Sequence, residues 1–228
     1  MAKKVFIGVG HGGNDPGAVA NGIKEKDANL TIALACRDEL VRHGVTVRIS
    51  RTKDENDPLT EEIRECNAFD PDLAVDIHNN AGGGDGAEAF YSIVGGMGKE
   101  LAENIMTEIK NLGQNSRGAK TRKNSNGSDY YGFIRETYAH AVIVEAAFLD
   151  NAKDVKIIDT AAEQKAMGVA IAKGILKTLD IAYKEPKKDT SKKMYRVQVF
   201  AGAKSGAEDA LKKAKAAGFT DAFITEVM

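Results

Sequence analysis

The chain has few of the features that mark a disulfide scaffold, a membrane protein or a nucleic-acid binder. Among 228 residues only Cys36 and Cys66 are cysteine, and no CxxC spacing joins them. Both fall in predicted helices, so they are expected as buried free thiols rather than as a disulfide or a metal pair. No apolar run is long enough to span a bilayer as a helix. The opening MAKKVFIGVG runs directly into a strand pattern and lacks the apolar core of a signal peptide, so synthesis in the cytoplasm is the expectation. The formal net charge is -1, which gives no reason to expect a nucleic acid or an anionic membrane as partner. That balance is uneven. Residues 184–228 hold ten Lys/Arg and six Asp/Glu, a net of +4, against -5 for residues 1–183. The glycine-rich GVGHGG at residues 8–13 lacks the third glycine of a dinucleotide fingerprint, and no helix opens directly from it.

What is present is an alternation of strand and helix. The hydrophobic share of 43% is enough for a real core. Val5, Phe6, Ile7 and Val9 read as a buried strand. Asp27 to His43 has helical spacing, and Gly44 supplies a stop. Val45, Val47 and Ile49 alternate as a strand. A helix is expected over 58–69, with Pro58 at its first position. Strands are expected over 73–77, 87–94 and 142–148. Helices are expected over 97–112 and 159–181, with a short one near 133–138. Residues 113–130, polar and glycine-rich, read as a long loop. This order predicts an α/β fold whose mainly parallel, twisted sheet is flanked by helices. KEPKKDTSKK, residues 184–193, reads as a charged linker. Beyond it, residues 194–228 read as a small β-α-β unit: a strand at Tyr195–Val199, a helix over 207–217, and a second strand over 219–227.

Three apolar runs end in residues that bind metals or move protons. The first strand ends in the turn-rich His11-Gly-Gly-Asn-Asp-Pro-Gly17. The run from Leu73 ends at His78, followed by the flexible loop 81–86. The run from Ala141 ends at Glu145, where a carboxylate is costly unless paired or used. Glu25 stands just before the first helix. Two histidines and one carboxylate at strand ends make an open zinc site, and a further glutamate makes a general base. The residues alone leave open which glutamate does which. His43 and His140 read as structural, the former suiting the end of its helix.

Taken together, GHGGNDPGA at 10–18, GIKEKDANL at 22–30, SRTKDEN at 50–56, DLAVDIHNNA at 72–81 and VIVEAAFLDNAKD at 142–154 resemble the zinc-dependent N-acetylmuramoyl-L-alanine amidases of the amidase-3 type. The resemblance covers about residues 4–182. It implies that His11, Glu25 and His78 hold Zn2+, that Glu145 is the catalytic glutamate, and that Asn80 is the motif asparagine, expected to line the substrate groove. The implied substrate is peptidoglycan, cut at the amide between N-acetylmuramic acid and L-alanine. Asp76 departs from the pattern, standing where the family usually has serine. Residues 194–228 resemble half of a sporulation-related (SPOR-type) wall-binding repeat. The implied layout is a catalytic domain over 1–183, a linker over 184–193 and a wall-binding tail. That is the layout of a phage endolysin or a sporulation autolysin that acts on the wall after release by lysis or through a holin. Other zinc amidohydrolases on the same fold, and a non-catalytic wall-binding protein, are the rival readings. Half a repeat also leads us to expect a homodimer formed through the tail.

Overall fold

The computed structural model describes residues 2–186 and a helix at 204–216. By its contacts the chain divides into two parts, residues 1–184 and 185–228.

The first part is built on one six-stranded sheet in the order β4-β1-β5-β8-β6-β7. Its strands are β1 (Lys4–Val9), β4 (Thr46–Ile49), β5 (Leu73–Asn80), β6 (Ala87–Tyr91), β7 (Ser116–Lys120) and β8 (His140–Phe148). Every pairing is parallel except β6 with β8. The expected α/β architecture is therefore what the chain adopts. The central strands β1, β5 and β8 are near-continuous apolar runs because both their faces are covered. At the edge, β4 alternates exposed and half-buried residues.

The two faces are unequal. Val5, Ile7, Val75, Val142 and Val144 point into the larger core, under α1 (Glu25–Arg42), α3 (Met97–Leu112) and α6 (Ala161–Thr178). Phe6, Ala74 and Ile143 point into a smaller cluster with Ile63 and Phe133, under α2 (Leu59–Phe69) and α4 (Gly132–Glu136). The thin second layer leaves room for polar side chains at the carboxyl ends of β1, β5 and β8. From β1 the chain goes outward to β4 and then crosses back to β5 on the other side. The carboxyl ends of β1 and β5 therefore flank a topological switch point, where open α/β sheets bind ligands.

Some expectations change in detail. Pro58 is the residue capping α2 in an extended conformation, not its first helical residue. Part of the expected loop 113–130 is the edge strand β7, whose polar sequence Ser-Arg-Gly-Ala-Lys carries no strand pattern and pairs through its backbone with β6. β2 (Val19–Ala20) and β3 (Ile23–Lys24) form a small hairpin closed by Asn21 and Gly22, both at positive φ. Such Asn-Gly turns match the twist of paired strands. The short α5 (Ala152–Val155) is capped by the Asn151 side chain, and α6 opens with a Thr160–Glu163 capping box. Cys36 and Cys66 are buried free thiols, as expected. The second part contributes α7 (Lys204–Ala216); the strands expected at 195–199 and 219–227 lie outside the described residues.

Two glycines let α6 approach its neighbours. A Cβ on Gly168 would lie 2.2 Å from the Ile32 carbonyl oxygen of α1, and one on Gly174 would lie 2.5 Å from Ile105 Cα of α3. Both contacts are with backbone, so no side chain can swing away. Gly168→Ala is expected to cost about 1–3 kcal/mol by overpacking. In a domain of this size each kcal/mol lowers Tm by about 2–4 °C. An unfolding temperature within about a degree of the parent would show that α1 and α6 separate freely.

Candidate active site

The loop after β1 carries His11 in a left-handed backbone conformation, φ 63°. Arg51 holds that loop from beneath. Its buried guanidinium donates to the carbonyls of Val9 at 3.1 Å and Lys26 at 2.8 Å, with longer bonds to Gly10 and Lys53. Burial pulls the Arg51 pKa down, while Asp57 and Asp54 push it back up. Lys26 adds a bond to the Gly13 carbonyl at 2.8 Å and one to Asp54 at 2.7 Å. Asp54 in turn accepts from the Gly13 amide, and Asn56 from the Asn14 amide. The TKDEN stretch is thus the support of the histidine loop.

Glu25 is the first residue of α1, only 4% exposed, and it reaches over the end of the sheet. Its Oε2 lies 3.1 Å from His11 Nε2, and its Oε1 lies 3.1 Å from His78 Nδ1. The backbone amides of Ala18 and Asn79 donate to the same carboxylate at 2.9 and 3.1 Å. Asn29, also buried, donates to Gly10 and accepts from Asn79, tying α1 to both strand ends. Burial alone would raise the Glu25 pKa. The hydrogen bonds from both histidines and the His78 charge outweigh it and hold the carboxyl far below the usual range. Gly17 passes close by: a Cβ there would lie 2.5 Å from Glu25 Oε2.

The second nitrogen of each histidine also meets a carboxylate. His11 Nδ1 lies 2.8 Å from Asp15, and His78 Nε2 lies 3.1 Å from Asp76. The bond to Glu25 raises the His11 pKa against burial, with help from Asp15. Burial pulls His78 down, yet the charge and hydrogen bond of Asp76, then Glu25, lift it well above its usual value. Behind Asp76 stands Glu62 of α2, also buried. Asp76 Oδ1 and Glu62 Oε1 both lie over Gly8 and have no hydrogen-bond partner. Burial, then the charges of Asp76 and Asp57, push the Glu62 carboxyl well above its usual range.

Glu145 completes the row. Its Cα pairs with His78 of β5 on one side and with Glu88 of β6 on the other. Its Oε2 is buried without a partner. Burial pushes its pKa up to about 7; His78 opposes this, and Glu25, Asp76 and Glu88 add to it. Glu88 is itself buried and accepts from Arg117 at 2.7 Å, Lys120 at 2.5 Å and Asn80 at 3.0 Å. A cavity of about 550 Å³ opens in front of His11, His78 and Asp76, with Leu59 and Tyr131 on its wall.

The structure therefore brings together His11, Glu25 and His78, and sets Glu145 beside them. Asn80 is engaged with Glu88 and with the Ala81 amide. Among the described residues, His11, Glu25 and His78 form the one group able to hold a metal ion, with donor atoms within 4.8 Å of one another. Donor atoms about 2.1 Å from a tetrahedral ion stand roughly 3.4 Å apart, close to the 3.1 Å seen for both histidine–Glu25 pairs. Two imidazoles and a carboxylate suit zinc. The residues fit the ion. Sequence reading missed Asp15, Arg51, Glu62 and Glu88. Only Asp15, four residues after His11 in a turn loop, carried a usable local signal.

A family model described as Amidase_3, N-acetylmuramoyl-L-alanine amidase, matches residues 5–177. The N-acetylmuramoyl-L-alanine amidase CwlM of Bacillus licheniformis is 32% identical over 221 residues, covering 95% of this chain and 82% of that protein. An endolysin of Bacillus phage SPP1 is 34% identical over 202 residues, covering 83% of this chain and 72% of its own. Among solved structures, an N-acetylmuramoyl-L-alanine amidase from Clostridium difficile 630 superposes with a TM-score of 0.71 at 30% identity, over 78% of this chain and 97% of that one. Matched over most of its length by that family model and by these relatives, the chain belongs to the Amidase_3 family of N-acetylmuramoyl-L-alanine amidases.

Proposed function

We propose that this amidase uses zinc held by His11, Glu25 and His78, with Glu145 as its general base, to cut the amide joining the lactyl group of N-acetylmuramic acid to L-alanine in peptidoglycan. The observation that carries this reading is the Glu25 carboxylate placed 3.1 Å from one nitrogen of each histidine, while the other nitrogens rest on Asp15 and Asp76. Zinc bound there supplies a Lewis acid that polarises the scissile carbonyl and acidifies water. Glu145 takes the proton of the attacking water on a carboxylate oxygen. The C–N bond breaks as the new C–O bond forms, and Glu145 returns the proton to the departing alanine amine. Arg117 and Lys120 pair with Glu88, the strand neighbour of Glu145, and so leave Glu145 without a cation of its own.

The test is metal analysis of the purified protein together with identification of the ends released from peptidoglycan. About one zinc per chain is expected, with new alanine amines and new lactyl carboxyls in equal number. Loss of activity on chelation and its return with zinc complete the expected result. Activity untouched by exhaustive chelation would sink the zinc reading, and ends other than these would move the cut to another bond.

The same reading takes residues 194–228 as a wall-binding tail through which two chains pair, and places the protein's action at the wall after release by lysis. The similarity to a phage endolysin supports release of that kind. Residues 1–183 alone are expected to hydrolyse soluble muropeptides, because the whole sheet and its core lie within them. They are also expected to sediment less with intact walls and to scatter light as a monomer where the full chain is a dimer. Equal sedimentation of the two forms would remove the binding role of the tail, and a monomeric full chain would remove the pairing.

A further inference from the structure

We propose that Asp76 is a positioning residue for the metal in this chain: through its bond to His78 Nε2 it fixes the ring so that Nδ1 faces Glu25 and His11. The inference rests on the zinc reading above. The geometry is specific. Asp76 stands two residues before His78, so both side chains leave β5 on the same face. Its Cα is paired with Gly8 on one side and Ile143 on the other, so its backbone is clamped between strands. The side chain is 3% exposed and reaches His78 Nε2 at 3.1 Å.

Besides Glu25 at Nδ1 and the edge of the His11 ring, the imidazole packs on the chain at Gly10. A Cβ on Gly10 would lie within 2.4 Å of His78 Cε1, Nδ1 and Nε2, so the imidazole packs on bare backbone. Packing of that kind sets the plane of the ring but not which edge points at Glu25. A half-turn about the Cβ–Cγ bond keeps the plane and puts carbon where Nδ1 was. Glu25 on Nδ1 also favours the observed edge, but a bound ion would take that nitrogen; Asp76 on Nε2 is the partner that remains. Gly8 makes the space: a side chain there would meet Glu62 Oε1 at 1.8 Å and Asp76 Oδ1 at 2.8 Å. His11 has the matching partner in Asp15, but that side chain is 67% exposed. A bond in water-accessible surroundings is worth less than one out of water.

The experiment is zinc titration of the apoprotein against a chromophoric chelator for the parent, Asp76→Ala, Asp76→Asn, Asp15→Ala and His78→Ala. Carboxylate partners of metal-binding histidines are typically worth 10–100-fold in affinity. Asp76→Ala is expected to lose that much, Asp76→Asn less because it keeps an acceptor of the same shape, and Asp15→Ala the least. Nitrogen-detected spectra of the apoprotein, taken at a pH high enough to leave the ring neutral, should show His78 protonated on Nε2 in the parent and a mixture of tautomers in Asp76→Ala. A structural role alone would not move that signature. Zinc affinity of Asp76→Ala within twofold of the parent, while His78→Ala loses the metal, overturns the proposal and leaves the zinc reading standing. Weakened zinc with an unchanged His78 tautomer overturns it in favour of a structural role. Should Asp76→Ala not fold, Asp76→Asn decides by the same two readouts. A parent that binds no zinc overturns both.

Discussion

Glu145→Gln is expected to lower hydrolysis about 10²–10⁴-fold, the usual worth of a general base, while zinc content stays at the parent level. The residue sits in the row His78–Glu145–Glu88 across β5, β8 and β6, so its carboxylate is beside the ligand set without belonging to it. Glu88, its neighbour on the other side, is occupied by two cations and Asn80. Glu145 has a buried oxygen with no partner, in a position that evolution would fill with an apolar residue if packing were the only demand. Its carboxyl is also held near pH 7 by burial, the range in which a base both accepts and returns a proton. Glutamine keeps the volume and removes only the proton acceptor. A drop smaller than about tenfold, with zinc intact, would assign the base elsewhere. Loss of zinc along with activity would make Glu145 part of the ligand shell instead.

The four residues at the centre of the candidate site were legible because they break a rule that the rest of the sheet obeys. Central parallel strands should be apolar throughout, yet the runs at residues 73–78 and 141–145 end in His78 and Glu145. His11 follows the first strand in a loop of turn formers, and Glu25 opens a helix. Their partners were harder to see. Asp76 lies two positions before His78, so a period of two already put them on one face, and the sequence marked it only as a departure from serine. Arg51 and Glu62 reach the site from β4's end and from α2, and no local pattern says where a distant element will dock. The edge strand β7 escaped because its order comes from the backbone of β6, not from its own side chains. The β2–β3 hairpin had its Asn-Gly signal in plain view at 21–22. Pro58 sits one position from its expected place because its extended ψ of 141° caps α2 rather than entering it.

His11→Ala and His78→Ala are both expected to lose zinc, and with it activity, to at least the level of Glu145→Gln. Either change leaves two protein ligands, and catalytic zinc sites use three. The two variants should differ in stability, and that difference tests the environment rather than the ligand count. His11 projects from a surface loop; removing its ring returns Asp15, 67% exposed, to water at little cost, and the Glu25 Oε2 that it leaves keeps the Ala18 amide. His78 instead covers Asp76, which is 2% exposed and has one oxygen already without a partner. Taking away the ring strands a buried carboxylate next to Glu62, a loss of about 1–3 kcal/mol for an unsatisfied buried group. It also opens a hole against Gly10, where the imidazole packs on bare backbone. Thermal unfolding of the apoproteins should therefore place His11→Ala near the parent and His78→Ala several degrees lower. Stoichiometric zinc retained by both variants at neutral pH would sink the ligand assignment. Equal stability of the two would show that water already reaches Asp76.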